Sequence, residues 1–164
     1  PLIKYFVIPY YMWYALVLFS FIYIYTKSNE EFYKFAKCIV LTMLSALIIF
    51  IFFQTSVSRP IIVGDDMFSN MIRNIYANDR PVNCCPSLHV ALALICSIWV
   101  CRVSENRILK STVIVVGYLI ILSTLFIKQH VIMDVIVAFI QVFVLRNIVD
   151  RNPHVEYEET VEIR

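Results

Sequence analysis

Charge and glycine are both scarce in this chain. Asp, Glu, Lys and Arg make up 16% of its 164 residues, and glycine occurs twice. A soluble domain of this length has too much surface to carry so few charges, which excludes that class. The formal net charge is only +2 and no basic run stands out, so no nucleic-acid partner is expected. No CxxC pair occurs among the five cysteines, Cys38, Cys84, Cys85, Cys96 and Cys101, which supports neither a zinc ribbon nor a disulfide framework. Cys84 and Cys85 are neighbours and poorly placed to bridge each other. The other three lie in or beside apolar stretches, as small hydrophobes do. There is no internal repeat, no low-complexity tract and no small-residue cleavage site of a secretory signal. The chain begins at Pro1 rather than methionine, as a fragment or processed form would.

What is present is apolar length. Hydrophobic residues make up 60% of the chain and aromatic residues 15%, and the mean hydropathy is +0.77. Five apolar stretches, at roughly 5–26, 38–53, 86–102, 111–127 and 131–148, approach the ~20 residues a bilayer crossing requires. A lone strand cannot satisfy its backbone in lipid, so each reads as a helix. The expected fold is all-α, a polytopic transmembrane bundle in one domain over residues 1–148. Residues 149–164, ending in the acidic "DRNPHVEYEETVEIR", are expected to form a cytoplasmic tail, in which His154 has no evident partner.

The cations between spans set an orientation. Lys27, Lys34 and Lys37 follow the first span, Arg102, Arg107 and Lys110 the third, and Arg146 and Arg151 the fifth. Spans alternate in direction, so all three groups fall on one side, the cytoplasmic one by the positive-inside rule. The loop 54–85 and the turn near 128–130 then face away from the cytoplasm, and Pro1 lies outside. A missing first span would restore a cytoplasmic N-terminus. Within the long loop, Met67, Phe68, Met71, Ile72, Ile75 and Tyr76 recur at helical spacing behind Asp66, an N-cap type. This predicts a short helix, lying either in the membrane interface or on the bundle top. Gln141 and Ser45 read as helix–helix contacts, and the Tyr and Trp residues of the first span as interfacial anchors and packing.

Two stretches carry chemistry. In "STLFIKQHVIMDVI", residues 123–136, Asp134 sits about one turn into an apolar span, where a charge needs a partner. His130, four residues earlier, is within reach on the same face, and such a carboxylate fixes the tautomer of an imidazole and stabilises its cation. The pair serves equally as a structural hydrogen bond. In "CCPSLHVALAL", residues 84–94, Pro86 suits the first turn of a helix, with Ser87 and His89 among its free N–H groups. The orientation above puts His89, His130, Asp134, Lys128 and the loop arginines Arg59, Arg73 and Arg80 on one face. Two histidines, a carboxylate and several cations suit a phosphate ester. One histidine attacks phosphorus and the other protonates the departing oxygen, with no metal or cofactor required.

These residues resemble the type 2 phosphatidic acid phosphatase superfamily of membrane lipid phosphatases and phosphotransferases. Its motifs are Lys-x6-Arg-Pro, Pro-Ser-Gly-His and Ser-Arg-x5-His-x3-Asp. Here the second reads Pro86-Ser87-Leu88-His89. The third reads Ser123-Thr124, five residues, His130, three residues, Asp134, and Arg59-Pro60 fits the first best. The resemblance covers roughly residues 50–140. It implies His130 as a nucleophile that becomes phosphohistidine, Asp134 as its orienter and His89 as general acid. Arg59, Ser87, the backbone near Leu88, Lys128, Arg80 and Ser123 would bind phosphate. The substrate would be a lipid phosphate or polyprenyl diphosphate, handled at the extracytoplasmic face.

The chain departs from that pattern at Phe52, where lysine is expected, at Thr124, where arginine is expected, and at Leu88, where glycine is expected. Lys128 could supply the charge missing at Thr124. Arg73 stands seven residues before Arg80-Pro81 and offers a second match to the first motif. The stretches "CPSLHVALAL" and "KQHVIMDVIVAF" also resemble inositol-phosphorylceramide synthase-like transferases. Three readings therefore compete with hydrolysis: a lipid headgroup phosphotransferase, a non-catalytic remnant of the family, and a metal site built from Cys85, His89, His130 and Asp134.

Overall fold

The computed structural model describes residues 1–151, and the expected tail beyond Arg151, including His154, lies outside them. A short 3-10 turn, Lys4–Phe6, leads into α1 (Val7–Lys27). It is followed by α2 (Asn29–Phe52), α3 (Met67–Asn78), α4 (Leu88–Val103), α5 (Arg107–Phe126) and α6 (Ile132–Arg151). No strand forms among the described residues. Four helices, α1 with its leading turn, α2, α5 and α6, are long and apolar enough to cross a membrane. At 16 residues α4 is shorter, about 24 Å of helix.

The shortest span is the centre of the bundle. α4 packs against α1, α2, α5 and α6, and Val90, Ala91, Ala93, Ile95, Cys96, Trp99 and Val100 along it are fully buried. A helix that is apolar all round belongs inside. The surrounding helices turn apolar residues outward, Leu18, Leu47, Ile51, Tyr118 and Phe143 among them. A continuous apolar exterior around a bundle of this kind is stable only against lipid. Close packing of α5 on α4 depends on Gly117, where an added Cβ would lie 2.5 Å from Ser97 Oγ. Gln141 and Ser45 behave as read from the sequence: Gln141 Nε2 donates to Ser45 Oγ at 2.8 Å and to the Thr42 carbonyl at 3.0 Å, joining α6 to α2.

Several helix boundaries differ from expectation. The second span begins nine residues early, at Asn29, because Ser28 caps it by accepting from Glu31 N–H at 3.2 Å. Ser28–Asn29–Glu30–Glu31 is the sequence pattern of a capping box, so the charged connection becomes helix. The last span runs on to Arg151, three residues past the expected boundary at 148. In the long loop, Asp66 caps α3 as expected, accepting from Phe68 and Ser69 N–H, and it pairs with Lys4 at 2.7 Å. Lys4 and the Ser69 hydroxyl hold its carboxyl well below the usual carboxylate range. α3 buries Ile72 and Ile75 against Val7, Tyr10 and Ile127, on top of the bundle.

The other end of the bundle is closed by charge. Arg102 of α4 forks onto both oxygens of Asp150 of α6 at 2.8 Å and reaches Glu31 of α2 at 3.2 Å. These side chains are only 21–30% exposed, so the fork retains part of the strength of a buried bidentate pair. Arg102→Ala is expected to lower stability by about 1–2 kcal/mol, a hydrogen-bonded charge discounted for its exposure. A double-mutant cycle with Asp150→Asn, followed by thermal unfolding in detergent, should show the two losses to be non-additive.

Candidate active site

The site is assembled at the opposite end, beginning with the turn between α5 and α6. α5 ends in a Schellman arrangement: Gln129 N–H donates to the Thr124 carbonyl at 3.0 Å and Lys128 N–H to the Leu125 carbonyl at 3.2 Å. The left-handed position falls on Lys128, with φ of +59°, where glycine would be expected. A non-glycine residue there costs about 1 kcal/mol or more. His130 N–H also donates to the Thr124 carbonyl, which fixes the backbone at His130.

His130 and Asp134 do meet, though not as two residues on one helical face. His130 precedes α6, and Asp134 lies in the first turn of that helix. Its carboxylate folds back over the helix start, where Oδ2 accepts from Val131 N–H at 3.0 Å and lies 3.2 Å from His130 Nδ1. Asp134 is only 3% exposed. With Nδ1 turned to the carboxylate, Nε2 is the free edge of the ring.

The second motif is docked onto the third by the main chain. Ser87 N–H donates to the Asp134 carbonyl at 3.2 Å. Ser87 is fully buried and is the N-cap of α4, its hydroxyl accepting from Val90 N–H at 3.4 Å. Pro86 therefore stands outside the helix, because the Ser87 cap places the first turn at Leu88. The His89 ring is held between aromatic neighbours, stacked on Tyr10 and tilted against Trp13, both at 4.7 Å between centroids. Its centroid lies 6.4 Å from that of His130, close enough for one phosphoryl group to touch both rings.

Arg59 arrives by a route the sequence did not reveal. An antiparallel bridge pairs Ser56 with Val82. Asn83 N–H donates to the Thr55 carbonyl at 2.7 Å, and Thr55 Oγ1 accepts from Cys84 and Cys85 N–H. This strap brings residues 55–59 alongside 80–85. Arg59 then lies over the Tyr76 ring, 4.7 Å from its centroid, and donates to the Asp79 carbonyl and to Gln129 Oε1. Tyr76 donates to the Ile127 carbonyl at 2.7 Å, and burial raises its phenol pKa. Arg59, Arg80, Leu88, His89, Gln129 and His130 all line one cavity of about 160 Å³.

Gln129 is the residue that sequence reasoning missed. It is 1% exposed, and its only advance signal was an amide in an apolar context beside His130. Arg59 takes its Oε1, which leaves Nε2 buried without a protein acceptor, and Arg59 Nε is in the same condition. Two buried N–H donors without acceptors, on residues lining one cavity, call for an oxygen-rich anion.

The other expected residues divide. Lys128 lines a second, larger cavity that shares Arg59 and His130 with the first. The buried Ser123 and Thr124 hydroxyls donate to the Ile120 and Ile121 carbonyls of their own helix and stay out of the site. Phe52 is 75% exposed. Arg73 is taken up by the Ile62 and Gly64 carbonyls, Asp65 and Asn70, so the match to the first motif rests on Arg59. Among the described residues no three His, Cys, Asp or Glu side chains converge as metal ligands, so the set with Cys85 is not assembled. Burial raises the Cys85 thiol pKa as well, which disfavours the thiolate a metal would need.

If the amide of Gln129 aligns Arg59 and donates to the anion, Gln129→Leu should weaken inorganic phosphate binding about tenfold or more. A lost hydrogen bond to a charged group is worth about 1.5–3 kcal/mol. Gln129→Glu should weaken it further, by placing a carboxylate against both Arg59 and the anion. Titration calorimetry on the detergent-purified protein measures both, and unchanged affinities would remove Gln129 from the site.

Comparison with known proteins gives a family. No curated protein and no solved structure matches the chain significantly. The family model described as the PAP2 superfamily matches residues 1–146, which include every element of the site. The chain is an integral membrane protein that belongs to the PAP2 superfamily.

Proposed function

We propose that this protein hydrolyses a lipid phosphate or polyprenyl diphosphate through a phosphohistidine on His130. The observation that carries the reading is the pair of unpartnered buried donors, Arg59 Nε and Gln129 Nε2, beside two histidines that line the same cavity. A phosphoryl group supplies the acceptors they lack.

In this scheme the equatorial oxygens are held by Arg59, Arg80, Gln129 and the free first-turn N–H groups of α4 at Leu88 and His89. His130 Nε2 attacks phosphorus, while the Asp134 carboxylate, 3.2 Å from Nδ1, stabilises the positive charge that develops on the ring. His89 gives its proton to the departing oxygen as the P–O bond breaks. It then takes a proton from water as water attacks the phosphohistidine, which releases phosphate and restores both rings. The Arg80 cation and the neutral Gln129 amide supply donors to the cavity that lacks the cations expected at Phe52 and Thr124. Ser87 acts through its cap and its bond to Asp134, and Ser123 through its helix.

The site lies at the end of the bundle away from Arg102, Arg107, Lys110 and Arg146. The positive-inside rule therefore puts it at the extracytoplasmic face. An alcohol in place of water would make the same pair of histidines a phosphotransferase.

The test is phosphate release from a panel of lipid phosphates and polyprenyl diphosphates by detergent-purified protein in EDTA. His130→Ala should abolish release with every substrate. His89→Ala should lower kcat about 10²–10⁴-fold for alkyl phosphates, and far less for p-nitrophenyl phosphate, whose leaving group needs no proton. Equal losses in His89→Ala for both leaving groups would remove His89 as the acid. Full activity in His130→Ala would overturn the scheme. Transfer in place of hydrolysis would show as a new phosphodiester when a lipid or polyol alcohol is added.

A further inference from the structure

The cavity that holds both histidines is too small for a lipid. At about 160 Å³ it falls below the roughly 300–1,000 Å³ typical of small-molecule sites, so it takes the phosphoryl group and the tail must lie elsewhere. On the α1 side the way is shut by Tyr10 and Trp13, both packed on the His89 ring.

On the other side it is open. A cavity of about 860 Å³ shares Arg59 and His130 with the first and is walled by Leu125 and Phe126 of α5 and by Ile132 and Met133 of α6. α5 and α6 each pack on α4 but not on one another along their length, although a turn of only five residues, 127–131, joins them. Below the larger cavity, along the same helices, lies a separate apolar groove of about 370 Å³, which begins one turn past His89 on α4 and one turn before Leu125 on α5. It is lined by Ala93, Ser97 and Cys101 of α4, Ile114 and Tyr118 of α5, and Phe139 of α6.

We propose that the α5/α6 cleft is the tail site: an acyl or prenyl chain enters sideways from the bilayer, lies in the groove on α4, and presents its phosphate to His130 through the larger cavity. Lys128 and Arg59, on the larger cavity, meet the anionic headgroup as it passes. The inference rests on the lipid-phosphate reading above and adds where the chain lies. Its place along α4 and α5, one helical turn from His89 and from Leu125, singles out this groove from the rest of the apolar exterior. It also makes chain length, rather than headgroup alone, a determinant of substrate choice, since the groove is filled only by a chain reaching past Ile121.

The experiment uses the full chain in phosphatidylcholine vesicles with a phosphatidic acid bearing a diazirine midway along one acyl chain. After photolysis, peptide mass spectrometry should place the adducts on 94–101, 114–121 and Phe139. Unlabelled phosphatidic acid in excess should displace them, and excess phosphatidylcholine should not. Adducts spread over the outward residues of α1 and α2, such as Ile22, Leu47 and Ile48, or adducts that no competitor displaces, would overturn the assignment.

A groove-filling substitution gives the second readout. Ile114 is 57% exposed, so Ile114→Trp leaves the core intact. It should raise KM several-fold for the long-chain lipid phosphate and leave turnover of a short-chain, water-soluble phosphomonoester unchanged. Equal effects on both substrates, or none, would count against the cleft. Competed labelling without any phosphate release would sustain the cleft and overturn the hydrolytic reading. Phosphate release with scattered labelling would do the reverse.

Discussion

The site depends on three bonds made by one aspartate, two by its carboxylate and one by its carbonyl. The side chain of Asp134 closes the start of α6 on Val131 N–H and holds His130 Nδ1, while its carbonyl accepts from Ser87 N–H. The first role sets where the helix begins, the second orients the His130 ring, and the third fixes the end of α4 that carries His89. A carboxylate 97% withdrawn from solvent is costly unless fully bonded. Here the bonds that stabilise it are also the ones that assemble the site.

Around that residue the two ends of the bundle show a division of labour. One end is tied by Arg102, Asp150 and Glu31, a network whose donors and acceptors satisfy one another. The other end leaves Arg59 Nε and Gln129 Nε2 without acceptors, and sets a lysine where the backbone favours glycine. Two such donors on residues that line one cavity, next to a strained backbone position, suit the binding of an anion. The central α4 joins the two, its short apolar length fixing how far apart they stand.

Much of the fold was legible in the sequence because lipid imposes a simple rule: apolar runs near 20 residues become helices. The errors came where local chemistry overrode hydropathy. Ser28 and Glu31 carried α2 through charged residues, and the Ser87 cap moved the start of α4 past Pro86. In the site, His89, His130 and Asp134 were legible because their spacing is local or tied to helix starts. Arg59 could be placed beside them only by a motif match, since the strap from Thr55 to Cys85 is held by pairings some 30 residues apart. Gln129 was invisible as a functional residue because burial, which makes its amide matter, is not written in its neighbours. Ser123 shows the converse: a motif position whose hydroxyl is used by its own helix.

The proposed chemistry turns on His130 as the phosphoryl carrier. The most direct measurement is rapid alkaline quench of the protein mixed with ³²P-labelled lipid phosphate, followed by mapping of the labelled peptide. The expected result is an acid-labile, base-stable phosphoryl group on the peptide containing His130, formed and lost within a single turnover. Phosphate release with no covalent label at any time, or a label on another residue, would contradict it.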